Sequence, residues 1–267
     1  MLTLTQRFIT RNRTYSNPTR ITVRGAILHS VGVGQTRAEI FISNVDAPTA
    51  AVSYHGIIEA GGRAFQLLPW NFQAWHVGGT GNNTHIGVEM TEPATIQYTG
   101  SGANFTDNNP AATEAHVRDT YATAVLLFAQ ICAEHDLNPL ADGVILSHSE
   151  AHRRGIASNH ADVEHLWHRF GLSMNNFRQD VATQVNHQED LTMTQFEQLQ
   201  QRITAIEDRV MPRYMKLEEI PVWGRDAIVD AMARGILRGV SDGNLNLSWQ
   251  EVRAMVFDHR REGRDAE

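Results

Sequence analysis

The chain has 267 residues, 42% hydrophobic and 20% charged, which is enough to bury a full core and leaves room for one large and one small domain. Its formal net charge of -7 excludes a general nucleic-acid binder or a protein held on anionic membranes, because both surfaces would repel it. The single cysteine, Cys132, excludes an internal disulfide framework and a thiolate zinc cluster.

Residues 1–20 are polar and irregular and read as a segment lying over the domain surface. They contain no apolar stretch of the signal-peptide kind, and no run of about 18 apolar residues occurs anywhere in the chain. The expectation is a protein that stays in the cytoplasm until another agent releases it, with no membrane insertion.

Residues 21–23 and 25–28 read as strand material leading to His29. Residues 36–44 carry Ala38, Phe41 and Ile42 at helical spacing. Residues 52–58 and 64–68 are two strands around Gly61 and Gly62, a hairpin whose turn needs positive φ. A loop with Trp70, Trp75 and His76 follows, then a strand over residues 85–90 ending near Glu89. Residues 91–110 form a long polar loop, and loops of that length inside compact domains are commonly functional.

Residues 112–135 are the clearest helix, with Val117, Tyr121, Ala124, Phe128, Ile131 and Cys132 on one face. The apolar run at 144–146 reads as a buried strand with His148 just past its end. A loop without helical or strand period leads on to His160 and Asp162, and a closing helix starts at Ser173 with Phe177, Val181 and Val185 facing inward.

A second region begins near residue 187. Phe196, Leu199, Ile203, Ile206 and Val210 are spaced 3, 4, 3, 4, a heptad seam over about two repeats. Both an oligomer contact and a linker helix packed on its own chain fit that pattern. Met211 and Pro212 stop it. Two short helices follow, one over Trp223, Ala227, Ile228, Ala231 and Met232, the other starting at Ser248 with Glu251 as its capping-box partner; a turn lies at 240–244. The expected architecture is α/β, a mixed central sheet flanked by helices over residues 1–186, then a linker helix (187–212) and a small all-α module (213–267).

His29, His148 and Asp162 together supply the two imidazoles and one carboxylate of a catalytic zinc site with one open position. Hydrolysis at such a site also needs a base and a donor for the developing oxyanion. Glu89 is the candidate base; His160 and Tyr54 are candidate donors. Trp70, Trp75, His76 and Asn83 are candidate substrate contacts, the tryptophans because exposed indoles beside a cleft stack on sugars. Each has a plainer alternative: the chain holds 13 histidines, Glu89 could serve a salt bridge, and the tryptophans could be core. His148 and His152 lack the H-E-x-x-H order of zincins, so His152 and His165 are read as structural or rim residues.

The runs GAILHS, SYHGIIEAGGRAFQLLPW, AWHVGGTGNNTHIGVEMTEP and SHSEAHRRGIASNHADVEHLW occur in that order between residues 5 and 186. Together they resemble the amidase-2 family, N-acetylmuramoyl-L-alanine amidases related to peptidoglycan recognition proteins and to the T7-type phage lysozyme. The likeness is greatest to amidases of clostridial phages and prophages. It implies an endolysin acting on bacterial peptidoglycan: a zinc-dependent cut of the amide between N-acetylmuramic acid and the first L-alanine of the stem peptide. By position it makes His29, His148 and Asp162 the ligands, Glu89 the catalytic glutamate and Tyr54 the counterpart of a catalytic tyrosine. His160 stands where many members carry lysine. The loop between His148 and Asp162 is longer than usual, and Asp162-Val163-Glu164 replaces the usual Asp-Pro-Gly, so His160 stays a rival for the third ligand position. The alternatives are a non-catalytic peptidoglycan-binding protein and a zinc peptidase acting within the stem peptide.

Residues 217–257 resemble a single S-layer-homology-like module, with Ser248-Trp249-Gln250-Glu251 where the signature Thr-Arg-Ala-Glu would stand. The resemblance implies wall binding or, for one copy alone, self-association into a homo-oligomer.

Overall fold

The computed structural model describes residues 2–100, 103–210, 213–239 and 244–264; for 188–192, 204–210, 262 and 264 it describes the backbone alone. The turn expected at 240–244 and the stop at Met211 and Pro212 fall largely or wholly outside these residues. The chain divides into two units, 1–189 and 190–267.

The first unit is built on a six-stranded sheet. Its strands are β1 (Thr3–Gln6), β2 (Gly25–Ser30), β3 (Gly56–Glu59), β4 (Arg63–Gln66), β5 (His85–Met90) and β8 (Ile145–Ser147), in the order β1-β4-β3-β5-β2-β8. Every pairing is parallel except the β3–β4 hairpin, where Gly61 and Gly62 adopt φ of 84° and 72°. Because side chains alternate along a strand, Ala26 and Leu28 of β2 and Ile86 and Val88 of β5 face one side. There they pack on Val117, Tyr121, Ala124 and Phe128 of helix α3 (Pro110–Glu134) and on Phe177 and Val181 of α6 (Met174–Val210). Apart from the cluster that Ile27 of β2 and Leu146 of β8 form with Val77 and Ala151, the other side is covered by α2 (Ala38–Val45), whose Ala38, Ile42 and Val45 meet Ile57, Leu67 and Ile9.

Several elements differ from expectation. Residues 1–20 do not simply lie on the surface: β1 pairs with β4 as an edge strand, and α1 (Arg13–Ser16) is capped by Asn12, whose side chain also donates to Val45 O at 2.8 Å. The loop 91–110 carries a small hairpin, β6 (Ile96–Tyr98) with β7 (Phe105–Asp107). The stretch after β8 is helical at once: α4 (His148–Arg153) starts with a capping box between Ser147 and Glu150. A one-turn helix, α5 (Glu164–Trp167), follows Asp162.

The second unit holds α7 (Val222–Ala233) and α8 (Trp249–Arg264), with Ile228, Val252, Ile220 and Leu245 at its core. Ala227, Ile228 and Ala231 are buried as expected, whereas Trp223 and Met232 are exposed. Ser248 caps α8 together with Glu251. A two-residue antiparallel pair, β9 (Arg213–Tyr214) with β10 (Leu247–Ser248), supplements the helices. No described helix is long and apolar enough to cross a membrane.

Candidate metal centre

In open parallel sheets, ligands gather outside the carboxyl ends of the strands. Here β2, β5 and β8 end together. His29 and Glu89 sit opposite each other in the β2–β5 register, on the face away from α3, and His148 opens α4 directly after β8. Asp162 is brought in by its loop, whose carbonyl accepts from the Ser149 N–H at 3.2 Å. The result is a buried group in which His29 Nδ1 lies 3.0 Å from His148 Nδ1 and 3.3 Å from Asp162 Oδ2, and His148 Nδ1 lies 3.5 Å from that same oxygen.

The protons on both imidazoles are assigned by what stands behind them. His76 Nε2 donates to the His85 carbonyl at 3.1 Å, so His76 Nδ1 is an acceptor and takes the proton of His29 Nε2 at 2.9 Å. His29 Nδ1 is therefore a bare lone pair. Ser158 Oγ donates to Val77 O at 3.0 Å and so accepts from His148 Nε2 at 3.3 Å, which leaves His148 Nδ1 bare as well. Two lone pairs and a carboxylate oxygen thus face one point with no proton between them, an arrangement that calls for a cation. Ligands at about 2.0–2.1 Å from a tetrahedral zinc stand roughly 3.3–3.4 Å apart, the spacing seen here. The residues fit a divalent metal of that kind.

Burial sets the electrostatics. It lowers the pKa of His29 and takes that of His76 well below its ordinary value. Burial disfavours the Asp162 carboxylate too, but when no cation sits between them, protonated His148 and His29 donate to it, outweigh the burial and hold the carboxyl well below the usual range. Glu89 is shifted the other way: burial, then the charges of Asp162 and Glu92, push its pKa well above normal, and its Oε2 is buried without a hydrogen-bond partner. These groups line a cavity of about 820 Å³, whose far wall is formed by Tyr98 and His165.

Residues 18–165 match the family model described as N-acetylmuramoyl-L-alanine amidase, more than half of the chain and all of the residues just described. The chain belongs to the amidase-2 family. No curated protein matches it. Among solved structures, it is similar to hydrolase AmiA of Staphylococcus aureus in complex with its ligand: 14% identity, TM-score 0.53, covering 68% of this chain and 83% of that one. It is also similar to PlyL: 16% identity, TM-score 0.50, covering 68% of this chain and 99% of that one. These two likenesses are of fold.

Within the amidase domain, His29, His148, Asp162 and Glu89 converge. His160 stays outside the group: its ring stacks on His148 at 4.6 Å between centroids, 61% of its side chain is exposed, and its Nδ1 is 3.9 Å from the other Asp162 oxygen. Asp162, not His160, meets the two nitrogens. Tyr54 is not at the cavity. It is buried beside α2, near enough to feel the charge of Glu89, which with burial raises its pKa.

The expected substrate contacts scatter. Trp70 is core, stacked on the buried His55, because the loop that carries it folds back under the sheet. Trp75 is 54% exposed but does not line the cavity. His76 does line the cavity, behind His29, in space made by Gly87, where a Cβ would fall 2.3 Å from the ring. Asn83 is exposed, takes a hydrogen bond from Gln73 and borders a different cavity; its neighbour Asn82 has the structural part, accepting from the N–H groups of His76 and Val77. Sequence reasoning missed Ser158, Glu92 and Tyr98. Tyr98 donates to Glu92 at 3.0 Å and sits 2.6 Å from His165 Nε2, so His165 is a rim residue with a partner.

Proposed function

We propose that this amidase-2 chain is a zinc-dependent N-acetylmuramoyl-L-alanine amidase working as a phage or prophage endolysin on bacterial peptidoglycan. The observation that carries the reading is the convergence of His29 Nδ1, His148 Nδ1 and Asp162 Oδ2 on one point, both nitrogens stripped of protons by fixed partners. Those three groups would hold the metal, which when bound would supply Lewis acidity towards the amide carbonyl and water.

The rest is done by the chain. Glu89, in register with His29 and with an unpartnered oxygen at the cavity, takes a proton as water adds to the lactyl carbonyl. It then gives that proton to the alanine nitrogen as the C–N bond breaks, leaving a lactyl carboxylate and a free amine. His160, at the rim against His148, donates to the oxyanion. Tyr54, buried away from the cavity, takes no part in the chemistry. Residues 213–267 serve as a small module of the S-layer-homology-like kind, for wall binding or for oligomerisation.

Metal analysis together with product analysis of digested cell walls tests this. Bound zinc and new L-alanine amino termini, both lost in His148→Ala, are expected. Cleavage inside the stem peptide would replace the reading with a zinc peptidase, and wall binding without any release would make the chain a recognition protein.

A further inference from the structure

Three rings pack together at the far wall of the cavity. Tyr98 lies 5.7 Å from Phe105 and 5.9 Å from His165 between centroids, and His165 meets Phe105 at 6.2 Å. The polar atoms of Tyr98 and His165 are engaged within the protein. His165 Nδ1 donates to Ala161 O at 3.3 Å, its Nε2 meets the Tyr98 hydroxyl, and that hydroxyl donates to Glu92. One turn past His165 stands the exposed Arg169. Its guanidinium lies over Phe105, 3.9 Å from the ring centroid, and makes no ion pair or hydrogen bond among the described residues. Arg118 and Arg153, by contrast, are paired with Glu114 and Glu164. A guanidinium laid on an aromatic ring is held in place while its in-plane N–H groups stay available, and it is charged at every working pH. A carboxylate from outside the protein is what such a group lacks.

We propose that Arg169 binds a carboxylate of the stem peptide and so makes the chain selective for walls that leave that carboxylate free. This rests on the amidase reading above. Before cleavage the muramoyl half of the substrate is uncharged, because its lactyl carboxyl is tied up in the amide, whereas the peptide half carries carboxylates. The unpaired cation therefore marks the peptide end of the cavity. Arg169 is four residues beyond His165, roughly 6–7 Å along two short helical turns. Two extended peptide residues cover roughly 7 Å. The match falls on the second stem residue, a glutamate joined through its side chain, whose α-carboxylate is either free or amidated.

Steady-state kinetics on the full, zinc-loaded chain test this. The substrates are two soluble muramoyl tripeptides, both amidated at the chain terminus, that differ only in a free carboxylate or an amide on the second residue. Wild type is expected to favour the acid about tenfold, through KM with kcat alike, and to lose much of that preference in high salt. Arg169→Gln should treat the two alike by raising KM for the acid alone. Arg169→Lys, without the planar fork, should keep part of the preference. Unchanged cleavage of the amide by Arg169→Gln would show that the variant folds, and Arg118→Gln should leave the preference intact. A wild type that does not favour the acid, a preference that survives Arg169→Gln, or an equal loss on both substrates would overturn the proposal. If neither compound were cleaved, the amidase reading would fall by itself. The same comparison is then made of dissociation constants by NMR titration, where equal values for acid and amide, or no binding of either, would overturn the role of Arg169 separately.

Discussion

His29 and His76 meet Nε2 to Nδ1 at 2.9 Å, and this contact decides which nitrogen of His29 is left to bind a metal. The His85 carbonyl fixes the proton on the far side of His76, so the relay runs backbone, His76, His29, centre. Partners of this kind typically contribute tenfold to a hundredfold in metal affinity. His76→Phe, similar in volume and without the acceptor, should weaken zinc binding by about 10–100-fold in a chelator competition titration. Unchanged affinity would mean that something other than His76 sets the His29 tautomer.

Glu89→Gln should separate catalysis from metal binding. Turnover is expected to fall by about 10²–10⁴-fold with zinc content unchanged, since Glu89 is assigned to proton transfer and not to the ligand set. Stability moves the other way. Because burial raises the folded-state pKa of Glu89 above its ordinary 4.5, the favourable contribution of the protonated acid is complete below that value and is lost as pH rises towards the folded pKa. Glutamine does not ionise. Metal-free Glu89→Gln should therefore melt higher than metal-free wild type at pH 8, by about 2–4 °C for each kcal/mol released, with the gap closing towards pH 4. A gap that widened in acid would reverse the assigned direction.

The parts of this fold that the sequence announces are those with local or periodic signals. The strand into His29, the α3 stripe and the Ser248–Glu251 cap can all be read, and the His29, His148 and Asp162 set follows from strand exits and residue chemistry. Helix α4 is legible too, since Ser147 and Glu150 spell a capping box, but the Arg, Gly and Ser content of residues 153–158 hides it behind a loop signal. β1 is hard to read, because its alternation is only two apolar residues long, Leu2 and Leu4 against exposed Thr3 and Thr5, and breaks off at Gln6. Whether Trp70 stacks on a sugar or on His55, and whether Asn82 or Asn83 anchors the His76 loop, depends on where distant segments come to rest. No local pattern encodes that.

Acid should release the metal only well below neutrality. Binding requires bare imidazole nitrogens and an ionised Asp162. Burial lowers His29 from 6.5, so protons compete poorly for its bare nitrogen. Dialysis at stepped pH followed by metal analysis is expected to show full occupancy at pH 6.5 and loss only in more acid buffer. Adding back zinc should raise the melting temperature at neutral pH, by an amount equivalent to about 2.7 kcal/mol at a hundredfold excess over Kd. Metal lost near pH 7 would mean that the site is far wetter than its geometry states.

Tyr98 is the cavity-wall residue whose polar contacts can be removed one atom at a time. Its hydroxyl donates to Glu92 Oε1, which also accepts from the Gly32 N–H at 3.2 Å, while Glu92 Oε2 is buried with no partner. Tyr98→Phe keeps the ring against Phe105, at 5.7 Å between centroids, and deletes the donor to Glu92 together with the 2.6 Å contact to His165 Nε2. A buried acceptor left short of a partner costs about 1–3 kcal/mol, so the variant should melt several degrees lower. The hairpin β6–β7 carries this wall, and no ligand or proton carrier is touched, so KM should rise while kcat holds. Tyr98→Ala, which also removes the ring, should lose more of both stability and affinity. If Tyr98→Phe matched wild type in melting temperature and KM, the hydroxyl would have no part in holding the wall, and the Glu92 contact would be incidental.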